Sequence, residues 1–247
     1  MTNTPQHPIA GSGDSGDKSE LDELRELLEE SRAEIRLLQQ INSSLVSSSS
    51  LNEILQSIVG GLTGTLGYNT ASIWMLDDDG MTLRCQALAA GTDLSNRFEK
   101  ATGAAILGYG APIFEESVIW PVVTNGKSLV TDDVAAVLAG FSQDDYLLSL
   151  APKEAAASGI VSVIFVPLKS GESIIGVMGV GSAIVLTEVH LQAVQRFGGQ
   201  AGLAVEKFRL RQQLLEYPEQ LEQEVRVRTR EVEAGNRIAA PVSVSLN

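Results

Sequence analysis

The chain has 247 residues and 44% of them are hydrophobic, which is enough for a real core and excludes a chain that is disordered throughout. The formal net charge of −13, from 31 acidic and 18 basic residues, argues against nucleic acid and an anionic membrane as partners, because phosphate contacts need clustered Lys and Arg. A single cysteine excludes an intramolecular disulfide, and no apolar run reaches the roughly 18 residues that span a bilayer. We therefore expect a cytoplasmic protein without a signal peptide or membrane anchor.

The N-terminal region divides into a polar tail and a predicted coiled-coil helix. Residues 1–17 hold too little apolar surface to offset the entropy of ordering, which predicts a disordered tail. Within residues 18–46, a seam recurs at alternating steps of three and four, the heptad pattern of a coiled coil. The seam consists of Leu21, Leu24, Leu28, Ser31, Ile35, Leu38, Asn42 and Leu45. This pattern predicts a parallel homodimer whose register Asn42 would fix; a single helix lying on its own domain is the alternative.

A folded domain is predicted over residues 47–216. It begins with an amphipathic helix from Leu51 to Leu66, capped by the serines before it. Two predicted β-hairpins follow, with strands at 70–76 and 81–89 and at 160–168 and 173–180. Between the hairpins lies a looser stretch, 91–158, with one short strand at 127–130 and a helix after Asp132. Long irregular segments in compact domains tend to be binding elements, so this stretch is the expected binding region.

The last predicted helix starts after its cap residue, Thr187, and is expected to be interrupted at Pro218. Residues 217–237 continue an apolar stripe through a highly charged run, and the heptad stutters near the proline. The predicted pairing positions in this region are Leu214, Leu221 and Val225. Residues 238–247 are expected to fray.

No complete catalytic or nucleotide-binding motif is present in the sequence. Gly126-Lys127-Ser128 resembles the end of a phosphate-binding loop, but Pro121 stands where that loop needs its first glycine. The glycines in residues 176–181 are in the wrong order for a dinucleotide-binding turn, and we interpret them as small residues that let helices pack close to the sheet. The sequence therefore predicts no catalytic residues and identifies no cofactor.

Metal-binding residue types are few. Cys85 has no second cysteine for a redox pair or a thiolate cluster, and we interpret it as a small buried hydrophobe. His190 could ligate haem, but a structural role for a histidine at a helix start is commoner. The acidic runs at 77–79, 132–133 and 144–145 lie at predicted turns and helix starts, where Asp acts as a cap. No metal site is predicted.

The order of these elements, together with several local sequences, resembles the GAF domain family over about residues 45–216. The similar segments are Ser72 to Asp77, Asn125 to Asp132, Ser158 to Val163, Val166 to Leu168, Ile175 to Met178, and Leu186 to Glu188 followed by Phe197, Gln200, Ala201, Ala204 and Glu206. The resemblance implies an α/β protein of the α+β GAF-like type. Its central antiparallel sheet would have about five or six strands flanked by helices, with coiled-coil-type helices at both termini.

The same resemblance implies a sensor of small molecules or proteins, with a ligand pocket beneath the variable segment. The implied ligand-binding residues are Tyr109, Phe114, Trp120, Asp132 and Asp133. Several GAF subclasses do not fit: the residue pattern of cyclic-nucleotide binders is not evident, the cysteine-histidine pair of bilin carriers is missing, and free methionine sulfoxide reductases need several cysteines. Fold alone does not identify the ligand.

Residues 221–237 are similar to the helical linker before the phosphoacceptor helices of sensor histidine kinases. Only ten residues follow them, so we expect either a truncated kinase or a protein that acts through a histidine kinase or another signalling partner. The predicted function is a non-catalytic sensor of a two-component system that relays its ligand state through dimeric flanking helices. The alternative is a structural dimerisation adaptor with an empty, degenerate pocket.

Overall fold

The computed structural model describes residues 25, 28–29, 31–39, 41, 43 and 50–238, with side chains up to residue 214 apart from Thr92. The N-terminal helix α1 comprises the described residues between 25 and 43. The other helices are α2 (Leu51–Gly64), α3 (Thr92–Thr102), α4 (Trp120–Asn125), α5 (Val134–Ala139), α6 (Asp145–Ser158) and α7 (Glu188–Ile238). The strands are β1 (Thr70–Leu76), β2 (Thr82–Ala89), β3 (Gly110–Pro112), β4 (Leu129–Thr131), β5 (Ser162–Ser170) and β6 (Ser173–Ser182).

The strands form one antiparallel sheet in the order β3-β2-β1-β6-β5-β4. The two predicted hairpins, β1–β2 and β5–β6, make up most of it, and β1 pairs with β6 so that they join at the centre. In this register Ile73 lies opposite Met178, and both side chains enter the same core. The predicted α+β fold with a central antiparallel sheet flanked by helices is confirmed.

One face of the sheet, which we name the helix face, is covered by α1, α2 and α7. Its core includes Leu55, Ile58 and Leu62 of α2, Ile73, Ile164 and Met178 of the strands, and Phe197, Ala201 and Val205 of α7. From α1, Leu37 and Ile41 enter this core and are completely buried. Burying an aliphatic side chain of this size stabilises a fold by about 1.5–3 kcal/mol, so α1 is packed onto the domain.

Two glycines allow α7 to lie close to β5. A Cβ atom on Gly198 would stand 2.8 Å from Cγ2 of Val166. A Cβ atom on Gly202 would collide with the carbonyl oxygen of Lys169. Because the second contact is with backbone, no rotamer change could relieve it, and α7 depends on glycine there.

The glycines of β6 have a different role from the one predicted for residues 176–181. A Cβ atom on Gly179 would collide with the ring of Phe165 on the neighbouring strand, and one on Gly176 would collide with the Trp74 carbonyl oxygen. These glycines therefore make room within the sheet. The prediction that they admit a helix was wrong, since the glycines that do so lie in α7.

The opposite face, which we name the pocket face, is covered by the helices α3 to α6 and their connections. Its core includes Trp74, Leu83, Cys85, Ile113, Val122, Val137, Val163, Phe165 and Val177. Both faces of β5 and β6 are thus covered, which explains their almost continuous burial.

The stretch 91–158 is more regular than predicted. The strand expected at 127–130 is β4 and the helix expected after Asp132 is α5, but α3, α4, α6 and β3 were not predicted. The helix α7 also continues through Pro218 to Ile238, so the predicted interruption was wrong. An interior proline costs about 3 kcal/mol, and the helix-favouring Leu, Glu, Gln and Arg residues around it offset part of that cost. None of the described helices has both the length and the apolar character of a bilayer-spanning segment.

Candidate functional site

An apolar cavity of about 90 Å³, partly open to solvent, lies between α3 and α6 on the pocket face. Helix α3 contributes Leu94 and Phe98, and α6 contributes Leu147, Leu150 and Ala151. Leu138 at the end of α5 and the following Phe141 complete the aliphatic and aromatic lining. The cavity therefore lies within the segment that the sequence indicated as the binding region.

Aromatic rings connect the cavity to the sheet. The Phe141 ring lies 4.8 Å from that of Trp74 on β1 and 6.2 Å from that of Phe165 on β5, measured between ring centroids. At the other side of the cavity, Phe98 and Tyr109 meet edge to face with centroids 5.1 Å apart. Such pairs hold rings in defined orientations, so the lining is attached to two central strands.

An ion pair, which we name the clasp, ties α3 to α6 beside the cavity. The Arg97 Nη2 atom lies 2.7 Å from Glu154 Oε2, and Nε donates to the same oxygen at 2.8 Å. Arg97 Nη1 also donates to the Ala157 carbonyl oxygen at 2.9 Å. The hydrogen bond to Glu154 raises the pKa of Arg97, so the guanidinium remains charged. The two side chains are 24% and 28% exposed, which leaves the clasp partly open to water.

The structure places the five predicted ligand-binding residues apart. Tyr109 lines the cavity. Trp120 packs, half-buried, against the pocket-face core, and Phe114 is half-buried outside the cavity lining. Asp132 and Asp133 are exposed, and Asp133 accepts a hydrogen bond from the Ala136 N–H at 2.9 Å as the N-cap of α5. A binding role for these residues stays a prediction.

Sequence reasoning missed most of the cavity lining, including the clasp. The available signal was the spacing of Leu94, Phe98 and Ala101, which recur at steps of four and three as on one face of a helix. A second apolar face over Leu147, Leu150 and Ala151 would have identified α6.

Cys85 lies on the pocket face outside the cavity lining and is 1% exposed. Burial raises the pKa of its thiol to about 12, and Sγ donates weakly to the Ala87 carbonyl oxygen at 3.7 Å. Because the thiolate is the reactive form, this cysteine is a poor nucleophile. The interpretation of Cys85 as a small buried hydrophobe is confirmed.

The acidic residues that the sequence singled out include turn and helix caps. Asp144 accepts hydrogen bonds from the Tyr146 and Leu147 N–H groups at the start of α6. Asp79 accepts from the Met81 N–H at 2.8 Å, and this bond lowers the pKa of its carboxyl group. The described part of the chain brings together no group of three or more His, Cys, Asp or Glu side chains that could hold a metal ion.

His190 has a capping role at the start of α7. Its Nδ1 accepts a hydrogen bond from the Thr187 N–H at 3.1 Å and lies 2.9 Å from the Thr187 hydroxyl oxygen. The ring therefore satisfies a backbone donor that the helix leaves free.

Several predicted dimerisation residues are exposed. Leu28 is 49% and Ile35 52% exposed on α1, and Leu214 is 74% exposed on α7, whereas Leu38 packs partly buried against the helix-face core. Leu24 and Asn42 lie outside the described residues, as do the side chains of Leu221 and Val225. A pairing role for all of them stays a prediction.

A second ion pair ties α1 to α7. Arg196 Nη2 donates to Glu34 Oε2 at 2.8 Å, and Arg196 Nε donates to Glu34 Oε1. The bidentate geometry fixes α1 alongside the first half of α7.

Comparisons with known proteins agree with this architecture. The GAF domain family profile matches residues 48–206. No curated protein matches the chain. Among solved structures, a fragment of a methyl-accepting chemotaxis protein is 23% identical with a TM-score of 0.54, covering 69% of this chain and 97% of that one. The A. aeolicus nlh2 GAF domain in an inactive state is 18% identical with a TM-score of 0.52, covering 74% and 99% respectively.

Another similar structure is the free methionine-R-sulfoxide reductase of Neisseria meningitidis in complex with its substrate. It is 18% identical with a TM-score of 0.52, covering 72% of this chain and 93% of that one. At such identities the likeness concerns the fold alone. Since the family profile spans more than half of the 247 residues, the chain belongs to the GAF domain family.

Proposed function

We propose that this chain is a non-catalytic signal-transduction sensor module that binds a small-molecule effector or a protein partner. The presence or absence of the bound effector or partner would be relayed through dimeric flanking helices, as in the input region of a sensor histidine kinase. The observation that carries the proposal is the division of the sheet: the cavity lies on the pocket face, and the two terminal helices pack on the helix face. A change on one face can therefore reach the other through a single layer of strands.

A short route for that relay runs through β5. Phe141 lines the cavity and contacts Phe165, which points to the pocket face. The next residue, Val166, points to the helix face and lies against Gly198 of α7. A shift of Phe141 would thus reach α7 through one strand.

The exposed apolar side of α7 supports dimerisation. Leu203 and Leu210 are 39% and 52% exposed and seven residues apart, and Leu214 continues the same stripe. Leu210→Glu should convert a dimer to monomers in sedimentation velocity experiments, because a carboxylate would lose its hydration in the interface. Gln212→Glu adds the same charge on the opposite side of α7 and should leave the dimer intact. A monomeric wild-type chain would overturn the proposal.

The relay can be tested without knowing the effector. Ala151→Leu fills the cavity and imitates an occupied site, whereas Ala156→Leu makes the same change on the exposed side of α6. Each is combined with Leu210→Cys in a Cys85→Ala background, and the rate of disulfide cross-linking between protomers is measured. We expect Ala151→Leu to change this rate and Ala156→Leu to leave it unchanged. Equal rates would exclude a relay from the cavity.

The adaptor alternative is favoured by the size of the cavity. At about 90 Å³ it is smaller than the roughly 300–1,000 Å³ of typical ligand sites. An adaptor would dimerise as proposed, yet its cross-linking rate would not respond to Ala151→Leu. The experiment above therefore separates the two functions.

The proposal that the chain is not an enzyme rests on its single, buried cysteine and its raised thiol pKa. The reductase among the similar structures shares only the fold with this chain. We therefore do not propose free methionine sulfoxide reduction as its activity. The partners that we propose are a second copy of the chain and a histidine kinase or another signalling protein. We propose neither nucleic acid nor a membrane as a partner. The proposed location is the cytoplasm. A pull-down with purified kinase input regions, repeated with Leu210→Glu, tests the partner.

A further inference from the structure

We infer that the cavity between α3 and α6 takes a neutral, apolar molecule about the size of a single ring, and that the Arg97–Glu154 clasp, which ties the two helices together along the lining, slows its entry. This inference rests on the proposed sensor function and names the chemical class of the effector together with the gate of its site. It follows from the size of the cavity, the polarity of its lining and the ion pair within that lining.

The size of the cavity limits the ligand. Its volume is about 90 Å³, and a cavity of roughly 150 Å³ in another protein binds benzene or xenon. A nucleotide, a haem or a bilin is several times too large for this space. A single ring or a short branched alkyl group fits after small movements of the lining.

The polarity of the lining disfavours a charged or strongly polar ligand. The Thr102 hydroxyl donates to the Phe98 carbonyl oxygen at 2.9 Å, and the Ser142 hydroxyl accepts from the Asp144 N–H at 3.0 Å. Arg97 and Glu154 neutralise each other. Within the described part of the chain, no buried side-chain nitrogen or oxygen lacks a hydrogen-bond partner. Apart from the Tyr109 hydroxyl, the lining therefore offers a polar ligand little to replace its bonds to water.

The aromatic residues of the lining suit a ring. Phe98 and Tyr109 already meet edge to face, and Phe141 presents a third ring to the same space. Aromatic groups prefer offset or edge-to-face contacts with centroids about 4.5–7 Å apart. A ligand ring between them would extend this arrangement.

The clasp is part of the cavity lining and is partly exposed to water. Arg97 joins α3 to Glu154 and to the Ala157 carbonyl oxygen of α6, so α3 and α6 cannot separate there while these bonds hold. Both charged side chains are partly exposed, and such pairs are weakened by water and salt. The clasp can therefore open transiently, and its opening would limit the rate of ligand entry.

The test is a titration of the full chain, with ¹³C-labelled leucine methyl groups, followed by NMR. Benzene should shift the methyl signals of Leu94, Leu147 and Leu150, whereas benzoate, the same ring with a carboxylate, should not. Ala151→Leu should weaken benzene binding at least tenfold, and Ala156→Leu should not change it. If Ala151→Leu does not fold, Ala101→Leu fills the cavity from α3.

The gate is tested by the rate of benzene exchange in the same spectra. Arg97→Gln should accelerate exchange severalfold. Arg196→Gln, which removes the ion pair with Glu34 on the helix face of the sheet, should not. Equal exchange rates in the two variants would overturn the gate.

Binding of benzoate at the cavity, benzene shifts that persist in Ala151→Leu, or no shift of any cavity methyl group with benzene would overturn the ligand class. The proposed sensor function fails on a different result, namely cross-linking at Leu210→Cys that ignores Ala151→Leu. The two failures are therefore distinguishable.

Discussion

The two faces of the sheet are covered in different ways. On the helix face, α2 and α7 run across the strands, and glycines at 198 and 202 bring α7 against β5. On the pocket face, four short helices cover the strands, and a cavity remains between α3 and α6. The comparison teaches that one sheet can combine a closely packed side that holds the terminal helices with a looser side that leaves a cavity.

The test with the largest expected effect truncates one leucine side chain on each face of the sheet. Leu55→Ala on the helix face should lower the free energy of unfolding by about 2–5 kcal/mol, because Leu55 is completely buried and its neighbours cannot fill the space. Leu150→Ala beside the cavity should cost less than about 2 kcal/mol, since Leu150 is half-buried and already borders empty volume. Urea unfolding measures both. Equal losses would contradict the difference in packing.

A second test adds one methyl group to α7. Gly202→Ala should destabilise the fold by about 1–3 kcal/mol, because its Cβ would collide with the Lys169 backbone. Gly199→Ala is the matched control: no atom lies within 4 Å of its added Cβ, so the better helix propensity of alanine should stabilise by up to about 1 kcal/mol. A neutral result for Gly202→Ala would mean that α7 does not need the close approach. Thermal unfolding provides the measurement.

The parts of the fold that the sequence predicted have strong periodicity. Strand β1 coincides with the predicted residues 70–76, and α2 begins at the predicted serine cap, where the Glu53 N–H donates to Ser50 Oγ at 3.2 Å. Alternation in a strand and a three-to-four spacing in a helix follow directly from which side chains are buried. Long, well-covered elements were therefore predictable.

The missed elements lack these local signals. Helix α3 begins at Thr92, and its N-cap residue, Gly91, provides no side-chain cap. Helix α6 contains Pro152, which argues against a helix in any local interpretation. Strand β3 has only three residues and ends at Pro112. Their structure depends on tertiary contacts with the sheet, which composition and spacing do not encode.

The candidate site was hard to predict for a related reason. The prediction selected aromatic and acidic residues, and among them Tyr109 lies in the cavity lining. Most of the lining is apolar, and nearly all of it comes from two segments, 94–102 and 138–154, that are distant in sequence. Aliphatic residues in such segments indicate a core, and only the fold shows that the core is incompletely filled.

A third test fills space on each face with the same substitution. Ala151→Leu extends into the cavity and should stabilise the fold by about 1 kcal/mol, as cavity-filling changes commonly do. Ala201→Leu enlarges a completely buried residue of α7 and should destabilise it by about 1–3 kcal/mol. Changes of opposite sign in the free energy of unfolding, measured with urea, would support the difference in packing between the two faces. A loss of stability in both variants would mean that the cavity cannot accept added volume.

The smallest expected effect concerns the ion pairs, one on each face. Arg97→Gln breaks the clasp between α3 and α6, and Arg196→Gln breaks the Glu34 pair between α1 and α7. Partly exposed pairs contribute only about 0–1 kcal/mol, so neither variant should change global stability by more. The difference should appear locally in hydrogen exchange followed by mass spectrometry. Arg97→Gln should speed exchange in α3, none of whose described side chains is fully buried, whereas Arg196→Gln should change α1 little.

The reason for this contrast is that Leu37 and Ile41 anchor α1 in the helix-face core whether or not the ion pair is present. Helix α3 has no comparable anchor: Leu94 and Phe98 face the cavity, so the clasp supplies a larger share of what holds it. If Arg196→Gln accelerated exchange in α1 more than Arg97→Gln accelerates it in α3, the helix face would be the more loosely covered face of the sheet. The position of the cavity would then no longer explain where the molecule opens.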